Sequence, residues 1–165
     1  MALAVFSGAL LIAGGAQVHI ENGPVPMTLQ TLALLVVGAL LGPRRGAAAA
    51  AIYVAAGILG APVLADGKAL PGMEFLDSKT SGYLAAFPVA AALAGVTPRH
   101  PFALASVFLV AHAVILAVGF LWLSRFIGAG AAWEHGVAPF FLGAAAKSVF
   151  AGAIVIALRG RRTVS

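Results

Sequence analysis

Long apolar runs fill most of this chain, and short segments rich in proline, glycine or charge separate them. Hydrophobic residues make up 62% of the 165 residues and charged residues only 9%, whereas a typical soluble domain is about one-quarter charged. So few charges leave too little polar surface for a water-soluble fold. The sequence therefore predicts an all-α integral membrane protein in which residues 1–165 form a single transmembrane domain.

Six helices are predicted from the way proline, glycine and charge divide these runs. They cover residues 2–17, 28–42, 45–60, 81–96, 102–124 and 138–158. A membrane span normally needs roughly 20 apolar residues, so the first, second and fourth helices are expected to be tilted, shielded or incompletely spanning. The first run lacks the charged segment that opens a signal peptide, because the first basic residue is Arg44, and it is expected to remain as a mature helix.

The charged loops predict which helix ends face the cytoplasm. Basic residues follow the second, fourth and sixth helices with no acid nearby: Arg44, Arg45, Arg99, Arg159, Arg161 and Arg162. The opposite loops hold all five acids and three bases: Glu21, Asp66, Glu74, Asp77, Glu134, Lys68, Lys79 and Arg125. Because positive charge concentrates in cytoplasmic loops, both termini are expected in the cytoplasm. The net charge of +5 is then a topology signal, and no nucleic-acid partner is expected.

One ionisable side chain, that of Lys147, stands deep inside the sixth predicted helix. It lies about ten residues from either helix end, or roughly 15 Å, so its ammonium does not easily reach the membrane surface. A buried charge needs a partner or a water-filled cavity, and no predicted helix contains Asp or Glu. A carboxylate on a bound ligand would complete the pair. The alternative is a structural lysine that is bonded to backbone carbonyls or hydroxyls, or is neutral when the site is empty.

Uncharged polar side chains before the second helix predict the mouth of a pocket. Two prolines restrict the backbone of the segment PVPMTLQT, in which Thr28 and Gln30 offer hydrogen-bonding groups or, taken separately, helix caps. The long loop at about 61–80 lies on the same side and is interpreted either as a lid or as a mobile polar connector. Four side chains would form one pocket opening outward: Thr28, Gln30, Tyr83 and Lys147.

Small residues spaced four apart predict close contacts between helices. They are Ala4, Gly8, Ala9 and Ala13 on the first helix and Gly38 and Gly42 on the second. Ordinary internal packing is one interpretation of this spacing. Docking against another membrane subunit is the other.

The residues present also disfavour several classes of function. Without cysteine there is no thiolate nucleophile or cysteine metal site, and the histidines outside the helices fall in loops on different sides, so no metal site is expected. His112, alone in the fifth helix, is interpreted as a hydrogen-bonded packing residue rather than a proton relay. A lone lysine has no second group to activate it, so an enzyme is disfavoured and no cofactor is expected.

Four segments together resemble the BioY family, the biotin-specific substrate-binding (S) component of energy-coupling-factor (ECF) transporters. They are GPVPMTLQTLALLVVGALLGPRRGA at 23–47, YVAAGILGAPVLADG at 53–67, TSGYLAAFPVAA at 80–91 and GVAPFFLGAAAKSVFAG at 136–152. The resemblance implies a six-helix transmembrane bundle in the bacterial cytoplasmic membrane, with an outward-facing pocket that captures biotin. It also implies partners, namely a membrane coupling subunit (T component) docked on small residues of helix one, and two cytoplasmic ATPases.

The resemblance also implies which residues bind the substrate. Six stand at matching motif positions: Thr28, Gln30, Thr80, Tyr83, Phe87 and Lys147. Ala144 departs from the family pattern, which places an acid there, three residues before Lys147 on the same helical face. That change removes an acceptor suited to ureido N–H groups. Relaxed specificity, weakened binding or compensation from Asp66 or Asp77 are the expected alternatives, and another carboxylate-bearing vitamin or a non-transporting assembly subunit are the alternative functions.

Overall fold

A computed structural model describes residues 1–21 and 23–162, and within that part it contains nine α-helices and a short two-stranded ribbon. The helices are α1 Ala2–Gln17, α2 Gln30–Leu41, α3 Pro43–Ile58, α4 Glu74–Asp77, α5 Ser81–Ala85, α6 Phe87–Ala94, α7 Pro101–Ile127, α8 Ala129–Gly136 and α9 Phe140–Arg162. The strands β1 His19–Ile20 and β2 Met27–Thr28 pair antiparallel, with His19 opposite Thr28. The fold is therefore mainly helical, as predicted.

The observed helices follow the predicted ones closely at the start of the chain and diverge later. Helix α1 occupies the predicted residues 2–17, whereas the predicted helix 81–96 is two helices, α5 and α6. The break precedes Pro88, which has no N–H to bond the carbonyl of Leu84 and whose ring crowds that carbonyl. Helix α8 was not predicted, because its small and polar residues do not form an apolar run.

Within the part of the chain that the structure describes, two helices are long and apolar enough by themselves to cross a membrane, namely Pro101–Ile127 and Phe140–Gly160. The helices Ala2–Gln17 and Gln30–Leu41 are apolar but shorter. This agrees with the expectation from the sequence that the first two helices are short for a full span.

Gly38 and Gly46 allow close helix contacts in the core. A Cβ on Gly38 of α2 would lie 2.5 Å from the backbone oxygen of Ala91 on α6, and one on Gly46 of α3 would lie 2.7 Å from the Cα of Gly38. Three helix backbones therefore meet at a point where any side chain would clash. Gly42 instead has φ of +81° and forms the turn between α2 and α3, a conformation that favours glycine.

The small residues of α1 occupy different environments. Gly8 and Ala9 are buried, and a Cβ on Gly8 would lie 2.9 Å from Val37 of α2. Ala13 is partly buried against the core, and Ala4 is exposed. Internal packing thus accounts for Gly8 and Ala9, because their small size lets α1 approach its neighbours closely. Docking of a partner on the four residues stays a prediction.

Long-range hydrogen bonds connect loops that the charge pattern had assigned to the same side. At one end, the Arg159 guanidinium donates to the carbonyl of Pro98 at 3.3 Å. At the other end, Gln17 Nε2 donates to the carbonyl of Leu64 at 3.0 Å, and Trp122 Nε1 donates to the carbonyl of Ser78 at 2.8 Å. The loops therefore group at two ends of the bundle, and which end faces the cytoplasm stays a prediction.

Candidate ligand-binding site

A cavity of about 360 Å³ lies among α2, α3, α5, α6, α7 and α9, beneath the ribbon and the loop that follows α3. All six residues predicted to bind substrate line it: Thr28, Gln30, Thr80, Tyr83, Phe87 and Lys147. These residues are spread over more than two-thirds of the chain. Their convergence on one cavity is a property of the tertiary fold.

The side chain of Lys147 extends from α9 to the segment before α2. Its ammonium donates a hydrogen bond to the backbone carbonyl of Thr28 at 2.6 Å, and the side chain is partly buried. The Thr28 hydroxyl in turn accepts a hydrogen bond from the backbone N–H of Gln30 at 3.2 Å, at the start of α2. Lys147 thus bonds a backbone carbonyl, as expected for a structural lysine, and it also lines the cavity. An ammonium has three N–H donors, so this bond leaves capacity for a ligand.

Gln30 and Tyr53 form a buried polar pair that also lines the cavity. The Gln30 amide donates to the hydroxyl of Tyr53, and both side chains are nearly inaccessible to solvent. The Tyr53 ring stacks on Phe87 with 6.3 Å between ring centroids. Tyr53 was not among the predicted site residues. Its signal in the sequence was a lone aromatic residue with a polar tip in the alanine-rich third helix.

Tyr83 sits between two glycines that make room for its ring. A Cβ on Gly119 would lie 2.2 Å from the ring carbons, and one on Gly136 would lie 2.5 Å from the hydroxyl oxygen. That hydroxyl donates to the carbonyl of Gly136 at 2.9 Å, and the ring packs near Phe140 at 6.5 Å between centroids. The aromatic face that Tyr83 presents to the cavity is therefore held in one position.

His112 of α7 also lines the cavity, although the sequence indicated a packing residue. Its side chain is buried, and its Nδ1 lies 3.1 Å from the Ser148 hydroxyl and 3.3 Å from the carbonyl of Phe108. The hydrogen-bonded role predicted for His112 is present. Its position on the cavity wall, beside Lys147, depends on how α7 and α9 pack.

Charged groups at the rim of the cavity come from the loop after α3, and one of them contacts strand β1. The Asp66 carboxylate lies 2.6 Å from His19 Nε2 and 3.1 Å from the Lys68 ammonium. Hydrogen bonding from Lys68, with the nearby His19 ring, holds the pKa of Asp66 below its ordinary value. These contacts tie the loop after α3, which lines the cavity, to strand β1. The long loop is further held to the end of α3, because Leu70 N–H donates to the carbonyl of Gly57 at 3.1 Å.

The cavity therefore combines aromatic walls with a few polar groups at separate positions. Phe87 and Tyr83 offer ring surfaces, and Lys147 offers a cation away from the rim. Such a site is suited to a small amphipathic molecule with a flat ring, hydrogen-bonding groups and an acidic end.

Comparison with known proteins identifies the family of this chain. The BioY family model matches residues 1–163. The chain belongs to the BioY family. It is similar to the "Probable biotin transporter BioY" of Pyrococcus horikoshii, with 38% identity over 145 residues, covering 88% of this chain and 86% of that protein. It is also similar to the protein of the same description from Lysinibacillus sphaericus, with 30% identity over 137 residues, covering 77% and 68% of the two chains.

A solved structure has the same fold as this BioY-family chain. It is described as the S-component for biotin from an ECF-type ABC transporter, and it matches with a TM-score of 0.84 and 27% sequence identity. The match covers 96% of this chain and 89% of the other. The family is one of membrane transporters.

The residue that the sequence predicted to depart from the family pattern, Ala144, lies directly on the cavity. Ala144 is a buried residue of the lining, one helical turn before Lys147 and Ser148. The acid expected at this position would therefore have faced the same space. Two polar side chains on that wall are Lys147 of α9 and His112 of α7. His112 contacts the hydroxyl of Ser148.

Proposed function

We propose that this chain captures biotin as the substrate-specific binding subunit of an ECF transporter. One observation supports this above the others: a BioY-family chain brings all six motif residues onto the wall of a single cavity. The relatives described as biotin transporters and the matching S-component for biotin support the same substrate. The chain binds the vitamin, and the energy for transport comes from partner subunits.

The size and chemistry of the cavity are suited to biotin. A volume of about 360 Å³ lies within the range of roughly 300–1,000 Å³ typical of small-molecule sites. The thiophane ring of biotin packs against aromatic surface such as Phe87 and Tyr83. The valerate carboxylate needs a cation, and the ureido group needs uncharged donors and acceptors.

Lys147 supplies the cation of this site. Its ammonium pairs with the valerate carboxylate or donates to the ureido oxygen, and either contact uses an N–H not engaged by the Thr28 carbonyl. A hydrogen bond to a charged group contributes about 1.5–3 kcal/mol, or roughly 10- to 150-fold in affinity.

The proposed topology is a six-helix transmembrane bundle formed by residues 1–165, with both termini in the bacterial cytoplasm. The six spans are α1, α2, α3, the interrupted pair α5–α6, α7 and α9. The arginines at one end of the bundle support this orientation through the distribution of positive charge. The cavity, whose rim carries Asp66 and Lys68 at the other end, then opens outward to meet extracellular biotin.

The proposed partners are a membrane coupling subunit (T component) and two cytoplasmic ATPases. The exposed side of α1 is the proposed contact with the coupling subunit, because it combines large apolar side chains with the small exposed Ala4. The large exposed residues are Leu3, Phe6, Leu10 and Leu11. Gly8, Ala9 and Ala13 contribute by allowing α1 to pack closely on its own bundle.

The test is equilibrium binding of labelled biotin to the purified full-length chain in detergent. Lys147→Ala is expected to weaken binding at least tenfold while the protein stays folded. Lys79→Ala is the matched control, because Lys79 is an exposed lysine that does not line the cavity. Ala144→Asp, run beside them, measures what the absent family acid contributes.

Each outcome has a distinct meaning. Saturable binding to the parent, lost in Lys147→Ala and kept in Lys79→Ala, supports the proposal. Binding that appears only in Ala144→Asp would mean a biotin site altered by divergence. Failure in all variants would refute biotin capture and favour another carboxylate-bearing vitamin, which a transport assay across vitamins identifies, or an assembly role.

A further inference from the structure

The second ring nitrogen of His112 is a buried polar atom that its surroundings leave unused. Only 5% of the residue is exposed, and Nε2 has no hydrogen-bond partner among residues 1–21 and 23–160. Buried polar atoms are normally paired, so an unpaired one in a residue that lines a cavity points to a place for a ligand group. The His112 ring is one of the side chains that line the proposed biotin cavity.

The contacts of the other ring nitrogen determine what Nε2 can do. The carbonyl of Phe108, 3.3 Å from Nδ1, can only accept a hydrogen bond, which favours the tautomer with the proton on Nδ1. The Ser148 hydroxyl, 3.1 Å away on α9, holds the ring in the same orientation. In a neutral imidazole whose Nδ1 donates, Nε2 carries a lone pair and acts as an acceptor.

We infer that His112 Nε2 accepts a hydrogen bond from an N–H of the bound ligand, so that His112 is a further substrate-binding residue. The inference rests on the proposed function, and it assigns the atom that receives a ureido N–H of biotin. It also explains how the chain can lack the family acid at Ala144, because His112 supplies an acceptor on the neighbouring helix.

The placement of His112 agrees with this role. Residue 112 lies near the middle of α7, Pro101–Ile127, whereas Asp66 and Lys68 lie at the rim. Lys147 precedes Ser148 on α9, so an ammonium donor and an imidazole acceptor belong to the same part of the wall. A ureido group carries an N–H donor directly beside a carbonyl acceptor. The N–H matches the imidazole acceptor of His112, and the carbonyl matches the ammonium donor of Lys147.

Two substitutions separate the roles of the two ring nitrogens. His112→Gln places its amide at the position of Nε2 and gives up the Nδ1 contacts. His112→Asn places its amide at the position of Nδ1, near Ser148 and Phe108, and leaves nothing at Nε2. Labelled biotin is titrated into the full-length parent and both variants in detergent, and thermal unfolding of each empty protein checks that it is folded.

The expected result is that His112→Asn weakens biotin binding about tenfold, whereas His112→Gln stays within about threefold of the parent. Equal affinity of all three proteins would overturn the inference, as would a larger loss in His112→Gln than in His112→Asn, since His112 would then act only through Nδ1. If the parent binds no biotin, the proposed function fails, and the inference fails with it.

A second measurement does not depend on the stability of a variant. Nitrogen NMR of the parent with ¹⁵N-labelled histidine distinguishes a protonated from an unprotonated ring nitrogen, and His112→Gln assigns the His112 signals by their loss. We expect Nε2 to be unprotonated in the empty protein and its signal to move when biotin is added. A protonated Nε2, or a signal that biotin leaves unchanged, would contradict the inference.

Discussion

Replacing Gly119 with alanine tests how the cavity wall is held in place. The added Cβ would lie 2.2 Å from two ring carbons of Tyr83. Carbon atoms in contact are about 3.5–4.0 Å apart, so the ring must move by more than about 1 Å. It has little room to do so, because its hydroxyl is bonded to the carbonyl of Gly136 at 2.9 Å. The hydroxyl oxygen also packs so closely on Gly136 that a Cβ there would lie only 2.5 Å from it.

The expected magnitude combines three contributions. Overpacking a tight core costs about 1–3 kcal/mol, and loss of the Tyr83 hydrogen bond adds about 1 kcal/mol. The higher helix propensity of alanine returns about 1 kcal/mol within α7. We therefore expect Gly119→Ala to lower the free energy of unfolding by about 1–3 kcal/mol, with a Tm shift of roughly 2–4 °C per kcal/mol. Biotin affinity should also fall, because Tyr83 lines the cavity.

The assay is thermal unfolding in detergent, with and without biotin, followed by a binding titration. Gly14→Ala is the matched control, since Gly14 lies in α1 with nothing within 4 Å of an added Cβ. That variant should be as stable as the parent or slightly more stable. A Gly119→Ala protein with the Tm and biotin affinity of the parent would refute the reasoning that these glycines position Tyr83.

Two further predictions concern the polar groups around the cavity. Tyr53→Phe removes the hydroxyl that accepts from the buried Gln30 amide, so thermal unfolding should show a loss of about 1–3 kcal/mol, and an unchanged Tm would mean that the pair contributes nothing. The pKa of Asp66 is lowered in the fold, so its ion pairs stabilise the protein above the ordinary carboxyl pKa of 3.8, and this stabilisation is lost as pH falls through the lower folded pKa. Tm measured from pH 7 downward should therefore decline less steeply in Asp66→Asn than in the parent, and identical profiles would contradict a role for the His19 and Lys68 contacts.

Much of the fold followed from the order of residues along the chain. The apolar run at 2–17 predicted α1 because a run of that length bounded by polar residues is a local property. The motif PVPMTLQT likewise pointed to Thr28 and Gln30, which do line the cavity. Pro88, by contrast, lies inside the predicted helix 81–96, and the observed helix breaks beside it because proline removes a backbone N–H and crowds the preceding turn.

Two residues of the cavity wall were not predicted as site residues, for a different physical reason. Tyr53 and His112 lie in helices whose sequences are apolar on nearly every side, so periodicity does not tell which side faces inward. Their positions on the cavity wall depend on how α3 and α7 are rotated against their neighbours. Only packing at close contacts, such as Gly46 against Gly38 and Gly119 against Tyr83, sets those rotations.

The sequence by itself determined that this is a membrane-class helical chain with one lysine deep in its last helix, because hydropathy, proline and charge act over short stretches. The tertiary structure decided which groups meet that lysine. Lys147 bonds the carbonyl of Thr28, a residue 119 positions away, and Ser148 contacts His112, 36 positions away. Contacts over such separations arise from the packing of whole helices, which no local pattern specifies.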